Sequence, residues 1–577
     1  MNSQIFHPFV LPFVLGMAFV LTCCAVGFIR VIGQLPKDDR KKFWRSLVTP
    51  KTAWANVRDL VGDCLLHVKI WKRNPVLGYM HSAIAFGWFM IIVIGHIMLF
   101  TLKPLEGVEV EGVARTFTNF YYPIFFKYFA EETPVFAFLM DFFLLMIISG
   151  ILIAVVKKIH SKIVGVKRVM KFGFADNMIR FALWTNFPFR LIAEKTNIMA
   201  FWWLYSLDLM AFMFMLPFTR YMHIPTEALF ILLRHAGLKP REPRKGYALA
   251  QIYSCPSCGL CIDACPMSVN DKNSGNTSAY FMKRLRNGDK EEAQRIAETC
   301  MQCGKCVAIC PVSIESCDIK MSQREAVPYA INSDHSYLAC MDASHASAPN
   351  ASVLYFAGCM TQLTPKIMRA MKQIMEAAGE KYEFLDKDGG ICCGRPMLLS
   401  GKTAEAQAMM AKNTELIKKS SAKRLVLSCP ICYKVFKEEY QLEGIEILHH
   451  TQYIDELIKQ GKLKVDKNDV NYVYHDPCEL GRAFGVYDEP REVIESIGNL
   501  RKAKSEKELS ICCGGSLGSF NLTQQERDEI TANSVNDLMH NHPDEIVTAC
   551  PLCLKTFARK SPVDVKDIAE VVANNLI

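Results

Sequence analysis

The chain has 577 residues, 23 cysteines and a formal net charge of +9. Its first 240 residues are rich in Phe, Trp, Met, Ile and Leu, whereas 20 of the 23 cysteines lie beyond them. The cysteines recur in C-x-x-C and CC spacings, which excludes a secreted framework of scattered disulfides. Because the basic residues flank hydrophobic runs, membrane orientation explains them better than nucleic-acid binding does. We therefore expect a membrane domain over residues 1–240, followed by a cysteine-rich soluble part.

Four apolar runs of about twenty residues are long enough to cross a bilayer as helices. They lie near Phe9 to Ile29, Tyr79 to Leu102, Pro134 to Val156 and Ile198 to Thr219. The connections at 33–80 and 157–197 are strongly basic, whereas 103–133 is acidic, so the positive-inside rule places the N-terminus outside the cell. A fifth crossing is then needed to bring the soluble part into the cytoplasm, and Phe172 to Thr196 is its best candidate. The prediction is a bundle of about five helices in the cytoplasmic (inner) membrane.

Two histidines lie at the cytoplasmic ends of predicted spans, His81 in "GYMHSAIAFGW" and His223 in "FTRYMHI". Imidazoles from two helices at one depth can ligate a haem iron from both faces. An interfacial hydrogen-bonding role is the alternative for either one. Four polar residues at the outer depth are predicted to bind quinone or exchange its protons, because ionisable groups inside a membrane mark sites or pathways. They are His96, Asp141, Tyr205 and Asp208.

These stretches resemble the membrane cytochrome b of nitrate reductase gamma subunits and of heterodisulfide-reductase-like complexes. In that family each of the two helices usually offers two histidines, which together hold two haems. Here Tyr205 and Ile91 stand at about the positions of the second pair. The resemblance therefore implies one haem b through His81 and His223. His96 with another partner remains an alternative ligand for a second haem, and the two acids paired within the protein are the alternative to a quinone site.

Eight cysteines follow in two copies of C-x2-C-x2-C-x3-C-P, "CPSCGLCIDACP" and "CMQCGKCVAICP". In this motif three thiolates bind one cubane cluster and the fourth reaches the other. One [4Fe-4S] cubane is then assigned to Cys255, Cys258, Cys261 and Cys310, and the other to Cys300, Cys303, Cys306 and Cys265. Zinc is the alternative, but it has no use for eight thiolates in this order.

The stretch between the two motifs has helical spacing, so residues 241–345 resemble the all-helical ferredoxin modules of heterodisulfide reductase and succinate dehydrogenase. Cys317 and Cys340 fall outside the motif and are predicted to be structural.

The remaining chain is an internal repeat, predicted as lobes at 346–460 and 461–577. Each copy carries five cysteines, and equivalent cysteines are displaced by 119 to 121 residues, which indicates duplication. Four cysteines follow apolar strand-like segments and precede helix-like ones, so two α/β lobes with cysteines facing a shared cleft are expected. The sets are Cys359, Cys392, Cys393, Cys429 and Cys432, then Cys478, Cys512, Cys513, Cys550 and Cys553.

The pattern C…CCG…C-x-x-C, over about residues 350–560, resembles the CCG domain of heterodisulfide reductase catalytic subunits and of related iron–sulfur subunits. In the best understood members each set holds a noncubane four-iron cluster. The resemblance implies two such clusters here, with zinc or a conventional cluster in one lobe as the alternative.

The order of these parts resembles the electron-transfer-flavoprotein:menaquinone oxidoreductases. This resemblance implies electron transfer between menaquinone and a cytoplasmic flavoprotein. The alternatives are a thiol/disulfide oxidoreductase coupled to quinone and a non-catalytic electron-transfer subunit of a dehydrogenase complex. No nucleotide-binding fingerprint is visible, which fits the last of these.

Overall fold

The computed structural model describes residues 8–101, 124–125, 134–160, 170, 173–269, 271–327, 351–387 and 391–577. The chain forms two compact units. The first comprises Met1–Asp263 and Pro311–Ile314, and the second comprises Ala264–Cys310 and Glu315–Ile577. Cys340 and most of the predicted connection at 103–133 lie outside the described residues. The domain boundaries given above stay predictions.

The first unit is helical. Four of its helical stretches are long and apolar enough to cross a membrane: Pro8–Gly33, Pro75–Ile97, Pro134–Ile159 and Met199–Phe218. They correspond to the four runs predicted from hydropathy, and they indicate membrane association. The helices of this unit are α1 (Leu11–Gly33), α2 (Lys37–Val48), α3 (Pro50–Asp59), α4 (Val68–Trp71), α5 (Pro75–Thr101), α6 (Pro134–Ile159), α7 (Phe174–Thr196), α8 (Met199–Met215), α9 (His223–Arg234), α10 (Gly246–Ser254) and α11 (Leu260–Ala264).

The predicted fifth crossing forms helix α7, but it is not among the four helices apolar enough to qualify as spans. Its buried positions include Arg190 and Glu194, which form an ion pair with an N···O distance of 2.8 Å. Arg190 also donates to the hydroxyl of Tyr205 on α8, at 3.4 Å. A buried charged pair satisfied in this way lowers the hydropathy of the helix without leaving a charge unpaired. Whether α7 crosses the membrane stays a prediction.

The second unit begins with the helical ferredoxin-like segment, whose stretch between the two motifs is helical as predicted. Its main helices are α12 (Ser278–Asn287), α13 (Lys290–Thr299), α14 (Lys305–Ala308) and α15 (Ser316–Ala326). Asp289 caps α13 by accepting a hydrogen bond from the backbone N–H of Glu292, at 3.3 Å. Gly288 precedes that cap in a left-handed conformation with φ 81°, which ends α12 and lets the chain turn back.

Two small parallel sheets follow, and they have the same strand order. The first lobe contains β1 (Val353–Phe356), β2 (Tyr382–Phe384), β3 (Arg424–Leu427) and β4 (Glu446–His449), in the order β2-β1-β3-β4. The second contains β5 (Asn471–His475), β6 (Asn499–Arg501), β7 (Glu545–Thr548) and β8 (Asp564–Asp567), in the order β6-β5-β7-β8. This matching order confirms that the lobes are copies of one α/β unit.

Helices cover these sheets. Those of the first lobe are α16 (Cys359–Gln362), α17 (Pro365–Ala377), α18 (Arg395–Leu399), α19 (Thr403–Lys419), α20 (Pro430–Glu438) and α21 (His450–Lys459). Those of the second are α22 (Gly481–Phe484), α23 (Asp488–Ile497), α24 (Gln524–Leu538), α25 (Pro551–Phe557) and α26 (Ile568–Asn574). The central strands β1, β3, β5 and β7 lead to the cysteines, as the strand-like segments predicted. The strands within each sheet run parallel, so the residues that follow their carboxyl ends lie at the same end of that sheet.

Candidate cluster-binding sites

The second CCG set forms one cluster of thiols. All five of its cysteines line a single cavity, together with Leu399, Pro430 and Ile431 of the first lobe. The Sγ atoms of Cys513 and Cys553 are 3.3 Å apart. Cys512 lies within hydrogen-bonding reach of Cys478 and of Cys513. The predicted set Cys478, Cys512, Cys513, Cys550 and Cys553 is therefore brought together around one space, on the side that faces the first lobe.

The first CCG set is also contiguous. The thiol of Cys392 lies within hydrogen-bonding reach of Cys359 and Cys393, and that of Cys432 within reach of Cys393 and Cys429. Four of the five are buried, and Cys359 is half-buried. Cys429 in turn lies near enough to Cys550 of the second set to act on it electrostatically. The two sets thus face each other, as the shared cleft predicted.

The backbone conformation explains why a glycine follows each cysteine pair. Gly394 and Gly514 have φ angles of +91° and +89°, which residues with a Cβ atom rarely adopt. The turn aims backbone N–H groups at the sulfurs: Gly394 donates to Cys392 Sγ and Gly515 to Cys513 Sγ, both at 3.4 Å. Backbone donors favour the thiolate form that binds iron.

The electrostatics of each adjacent pair also favour a thiolate. Hydrogen bonds from Cys392 and Cys432 lower the pKa of Cys393 to about 6, against the opposing effect of burial. In the second lobe, hydrogen bonds from Cys512 and Cys553 lower the pKa of Cys513 well below its ordinary value. Within each CC pair, the second cysteine therefore ionises to the thiolate more readily than the first.

The second cubane set lies wholly within the second unit. Burial is the main cause that raises the pKa of Cys265. The nearby thiols of Cys300, Cys303 and Cys306 raise this pKa further, so the four cysteines lie close together. This is the crossed arrangement predicted for Cys265. Cys317, predicted to be only structural, lies within hydrogen-bonding reach of Cys306. The site thus has five neighbouring thiols rather than four.

The first cubane set divides between the two units. Cys255, Cys258 and Cys261 belong to the first unit and Cys310 to the second. Within the first unit, the charges of Lys157 and Arg220 act on Cys258. Arg220 also donates to the carbonyl oxygen of Pro256, at 3.5 Å. The joining of Cys310 to the other three cysteines stays a prediction.

One contact links a cubane set to a CCG set. Cys303 lies within hydrogen-bonding reach of Cys512, and this bond is the main cause that lowers the pKa of Cys303 to about 6. Arg482 of the second lobe strengthens the junction, because its Nε donates to the carbonyl oxygen of Cys303 at 2.6 Å and its Nη1 to that of Ser510 at 2.9 Å. No sequence motif indicated Arg482, because its importance depends on a contact 179 residues away.

The histidines of the first unit form a group that the sequence predicted in part. His223 and His81 lie within electrostatic reach of each other. A third histidine, His67, packs against His81 with ring centroids 5.3 Å apart. The chain reaches it through a π-helical turn, Leu60–Leu65, and His67 itself adopts a left-handed conformation with φ 51°. No sequence pattern singled out His67, although such turns are frequent at functional sites.

The orientation of two of these rings fits metal ligation. The Nδ1 of His67 contacts the carbonyl oxygen of Leu65 at 3.3 Å, and that of His223 contacts the carbonyl oxygen of Arg220 at 2.8 Å. Metal-binding histidines commonly use one ring nitrogen in this way, which fixes the ring for ligation through the other. The rings of His67 and His223 are thus held through Nδ1, which leaves Nε2 as the nitrogen that could bind a metal. The binding of a haem by His81 and His223 stays a prediction.

The polar residues predicted at the outer depth each have a partner. Asp208 accepts from Thr185 at 2.7 Å, Asp141 pairs with Lys195, and Tyr205 accepts from Arg190. The Nδ1 of His96 contacts the carbonyl oxygen of Ile92 at 2.7 Å, one turn earlier in the same helix. No contact among the described residues joins these four to one another. Their role toward quinone or a second haem stays a prediction.

No group of three or more His, Cys, Asp or Glu in the described ranges is arranged to hold one metal ion. A four-iron cluster gathers its thiolates around a larger group of atoms than a single ion does. The five thiols of each CCG set are contiguous, and their role as ligands of such a cluster stays a prediction.

Two domain families match the sites just described. The "Cysteine-rich domain" family CCG matches residues 353–437 and 472–558, and the "4Fe-4S dicluster domain" matches residues 251–314. These matches cover both predicted cysteine patterns and support 4Fe-4S clusters in the chain.

Three relatives illustrate the similarity. The "EtfAB:quinone oxidoreductase" of Syntrophomonas wolfei is 31% identical over 240 residues, which is 38% of this chain and 34% of that protein. One subunit of the "Dihydromethanophenazine:CoB--CoM heterodisulfide reductase" of Methanosarcina acetivorans is 28% identical over 40% of this chain and 60% of that protein. A "Probable membrane-anchored ferredoxin" of Chromohalobacter salexigens is 26% identical over 59% of this chain and 51% of that protein. The matched part of the chain thus spans between a third and two thirds of each relative.

Proposed function

We propose that this chain carries electrons between menaquinone in the membrane and an electron-transfer flavoprotein in the cytoplasm. The observation that carries the proposal is the contact between Cys303 and Cys512, which joins the ferredoxin module to the CCG domain. Together with the neighbouring thiols Cys429 and Cys550, it gives an unbroken order of cysteine sets, from ferredoxin to second lobe to first lobe. The iron–sulfur clusters, two of them cubane and those of the CCG lobes noncubane, supply one-electron chemistry when bound.

The membrane end of this proposal rests on the first unit. His81 and His223, with His67 beside them, would hold one haem b, and the two contacts of Nδ1 atoms with backbone carbonyls fix the rings of His67 and His223. Four apolar helices provide the bilayer setting in which a quinone would be found. The name of the Syntrophomonas wolfei relative supports quinone and a flavoprotein as the two redox partners, and that of the Chromohalobacter salexigens relative supports membrane anchoring.

Rapid-mixing spectroscopy of the purified full chain tests this function. Reduced electron-transfer flavoprotein should reduce the haem, and a menaquinone analogue should then reoxidise it. The His81→Ala variant should lose the haem absorption band because one axial ligand is gone. If dithionite reduces the haem but the reduced flavoprotein does not, the flavoprotein is the wrong partner.

The cavity of the second CCG set favours one second candidate, a thiol/disulfide oxidoreductase coupled to quinone. All five cysteines of that set line the cavity, and apolar residues of the first lobe close its other side. In this candidate, the thiol/disulfide chemistry would take place at the cluster that these cysteines would hold. Oxidation of small dithiols by membranes containing the chain, with reduction of the quinone pool, would support this candidate over the first.

A further inference from the structure

Lys320 is a buried lysine at the second cubane set. It lies on helix α15 and its side chain is almost completely enclosed, since the residue is 1% exposed. Its ammonium group donates to Cys300 Sγ at 3.4 Å and to Ser278 Oγ at 2.9 Å. The ring of Phe281 lies 5.4 Å from the same nitrogen. The lysine therefore points its charge at a cluster ligand from within the protein.

The surroundings of Lys320 contain thiols in place of carboxylates. None of the carboxylates in the described part of the chain forms an ion pair with it. The groups that act on its charge most strongly are Cys300, Cys306, Cys317 and Cys265. Removing an ammonium group from water is strongly unfavourable unless a nearby negative charge compensates it. Here the compensating charge has to come from the thiolates that hold the cubane.

We propose that Lys320 raises the reduction potential of the cubane held by Cys265, Cys300, Cys303 and Cys306. Reduction adds one electron to this site and transfers no proton, so the site becomes more negative by one charge. A fixed ammonium 3.4 Å from Cys300 Sγ stabilises that added charge. Lys320 is thus a potential-setting residue and not an iron ligand. Because Cys303 of this set contacts Cys512, the effect bears on the cubane that borders the second CCG lobe.

This role of Lys320 depends on the 4Fe-4S clusters and not on the proposed flavoprotein or quinone. The test of Lys320 can therefore fail while the proposed function stands, and the proposed function can fail while the role of Lys320 stands. No motif could have indicated Lys320, since it lies ten residues after the last cysteine of the ferredoxin pattern and acts through folding.

The test is a redox titration of the purified full chain, followed by electron paramagnetic resonance of the reduced cubanes, with dithionite as the electron donor. In Lys320→Met we expect the midpoint potential of one cubane to become more negative. The expected size is about a tenfold change in the ratio of oxidised to reduced cluster, which is about 59 mV for one electron. Lys320→Arg should keep the potential close to that of the unaltered protein, because it keeps the charge.

Lys290→Met is the matched control. Lys290 lies on α13 in the same module but is exposed, so its removal changes the net charge equally and should leave both cubane potentials unchanged. An unchanged potential in Lys320→Met with both cubanes present would overturn the proposal. If Lys320→Met loses the cubane, Lys320→Gln is titrated in its place. Suppose that both neutral variants lose the cubane while Lys320→Arg keeps the midpoint potential of the unaltered protein. This result would also overturn the proposal, because the charge would then be needed to assemble the cluster rather than to set its potential.

Discussion

In the first CCG lobe the leading cysteine is Cys359. The next residue is Met360, and the fourth residue after Cys359 is Leu363, whose side chain is exposed. In the second lobe the equivalent positions are Glu479 and the half-buried Arg482, which binds the ferredoxin module through the carbonyl of Cys303. The cysteines and sheets of the two lobes are alike, but their neighbours differ. Duplication has preserved the predicted cluster ligands, and a residue between them, Arg482, makes the second lobe the one that contacts the ferredoxin module.

A second asymmetry joins the lobes. Arg395 follows the CCG motif of the first lobe, where the second lobe has Gly515, and it pairs with Glu479 at 2.8 Å. Both side chains are largely buried, at 9% and 13% exposure. Each partner thus occurs in only one copy of the repeat. The pair can form only between the lobes, beside both cysteine sets.

The largest effect should come from removing one cysteine of each set. Cys512→Ser should abolish the signal of the second CCG cluster and stop electrons from the ferredoxin module reaching the first. Cys392→Ser should abolish only the first CCG signal, because the second lobe still adjoins Cys303. Iron content and electron paramagnetic resonance after reduction of the cubanes measure both outcomes. Equal losses in the two variants would remove the distinction between the lobes.

Breaking the pair between the lobes should reduce stability strongly. Arg395→Met leaves the carboxylate of Glu479 buried without its partner, at a cost of about 3–5 kcal/mol in the free energy of unfolding. Adding Glu479→Leu should restore much of that loss. As a control, Lys462→Met removes an ion pair with Glu380 in which the lysine is 50% exposed, and should cost about 0–1 kcal/mol. Urea unfolding followed by fluorescence measures all four proteins.

Asp386 of the first lobe should make stability depend on pH. Burial raises its pKa to about 6, although the backbone N–H groups of Ala357 and Gly358 donate to it. Because the folded state then holds the proton more tightly than the unfolded chain, this stabilisation is fully present below about pH 4 and lost as pH rises through 6. The equivalent residue of the second lobe, Glu506, lies near the surface facing Arg491.

The pH effect of Asp386 amounts to about 3 kcal/mol at most, from a difference of about two pH units. Relative to the unaltered protein, Asp386→Asn should become more stable between pH 5 and pH 7. Glu506→Gln should show no comparable change. Urea midpoints of each protein are measured at pH 5 and pH 7. If the stability difference between Asp386→Asn and the unaltered protein is the same at both pH values, the predicted titration of Asp386 is refuted.

A smaller effect is expected from exchanging the residues that distinguish the lobes. Arg482→Leu introduces the residue of the first lobe and leaves the carbonyls of Cys303 and Ser510 without a donor, at a cost of about 1–3 kcal/mol. All clusters should still assemble, but electron transfer from the cubane to the second CCG cluster should slow. Leu363→Arg is the matched control and should change neither stability nor rate appreciably. An unchanged rate in Arg482→Leu would deny this arginine a role at the junction.

The sequence predicted well what is local or repeated. The strands before Cys359, Cys429, Cys478 and Cys550 could be predicted from apolar runs that end at cysteines, and the duplication from constant offsets. Four apolar helices followed from hydropathy. The sets of five thiols followed from the CCG pattern, because a repeated spacing of rare residues seldom arises by chance.

What the sequence could not show depends on contacts between distant residues. Hydropathy could not show that Arg190 and Glu194 pair with each other on the buried face of α7. His67 has no partner at helical spacing and meets His81 only through the turn before it. Lys320 and Arg482 look like ordinary surface cations in the sequence. Only folding places Lys320 against the thiol of Cys300 and Arg482 against the carbonyl of Cys303.

The most direct test of the order of the clusters is the magnetic interaction between them, measured by electron paramagnetic resonance power saturation in the fully reduced chain. The reduced cubane of Cys265, Cys300, Cys303 and Cys306 should speed the relaxation of the second CCG cluster, and this should persist in Cys392→Ser. We expect it to vanish in Cys512→Ser together with that cluster's signal. A first CCG cluster that relaxes as fast in Cys512→Ser as in the unaltered protein would show that the ferredoxin module couples to the first lobe instead, and would contradict the account.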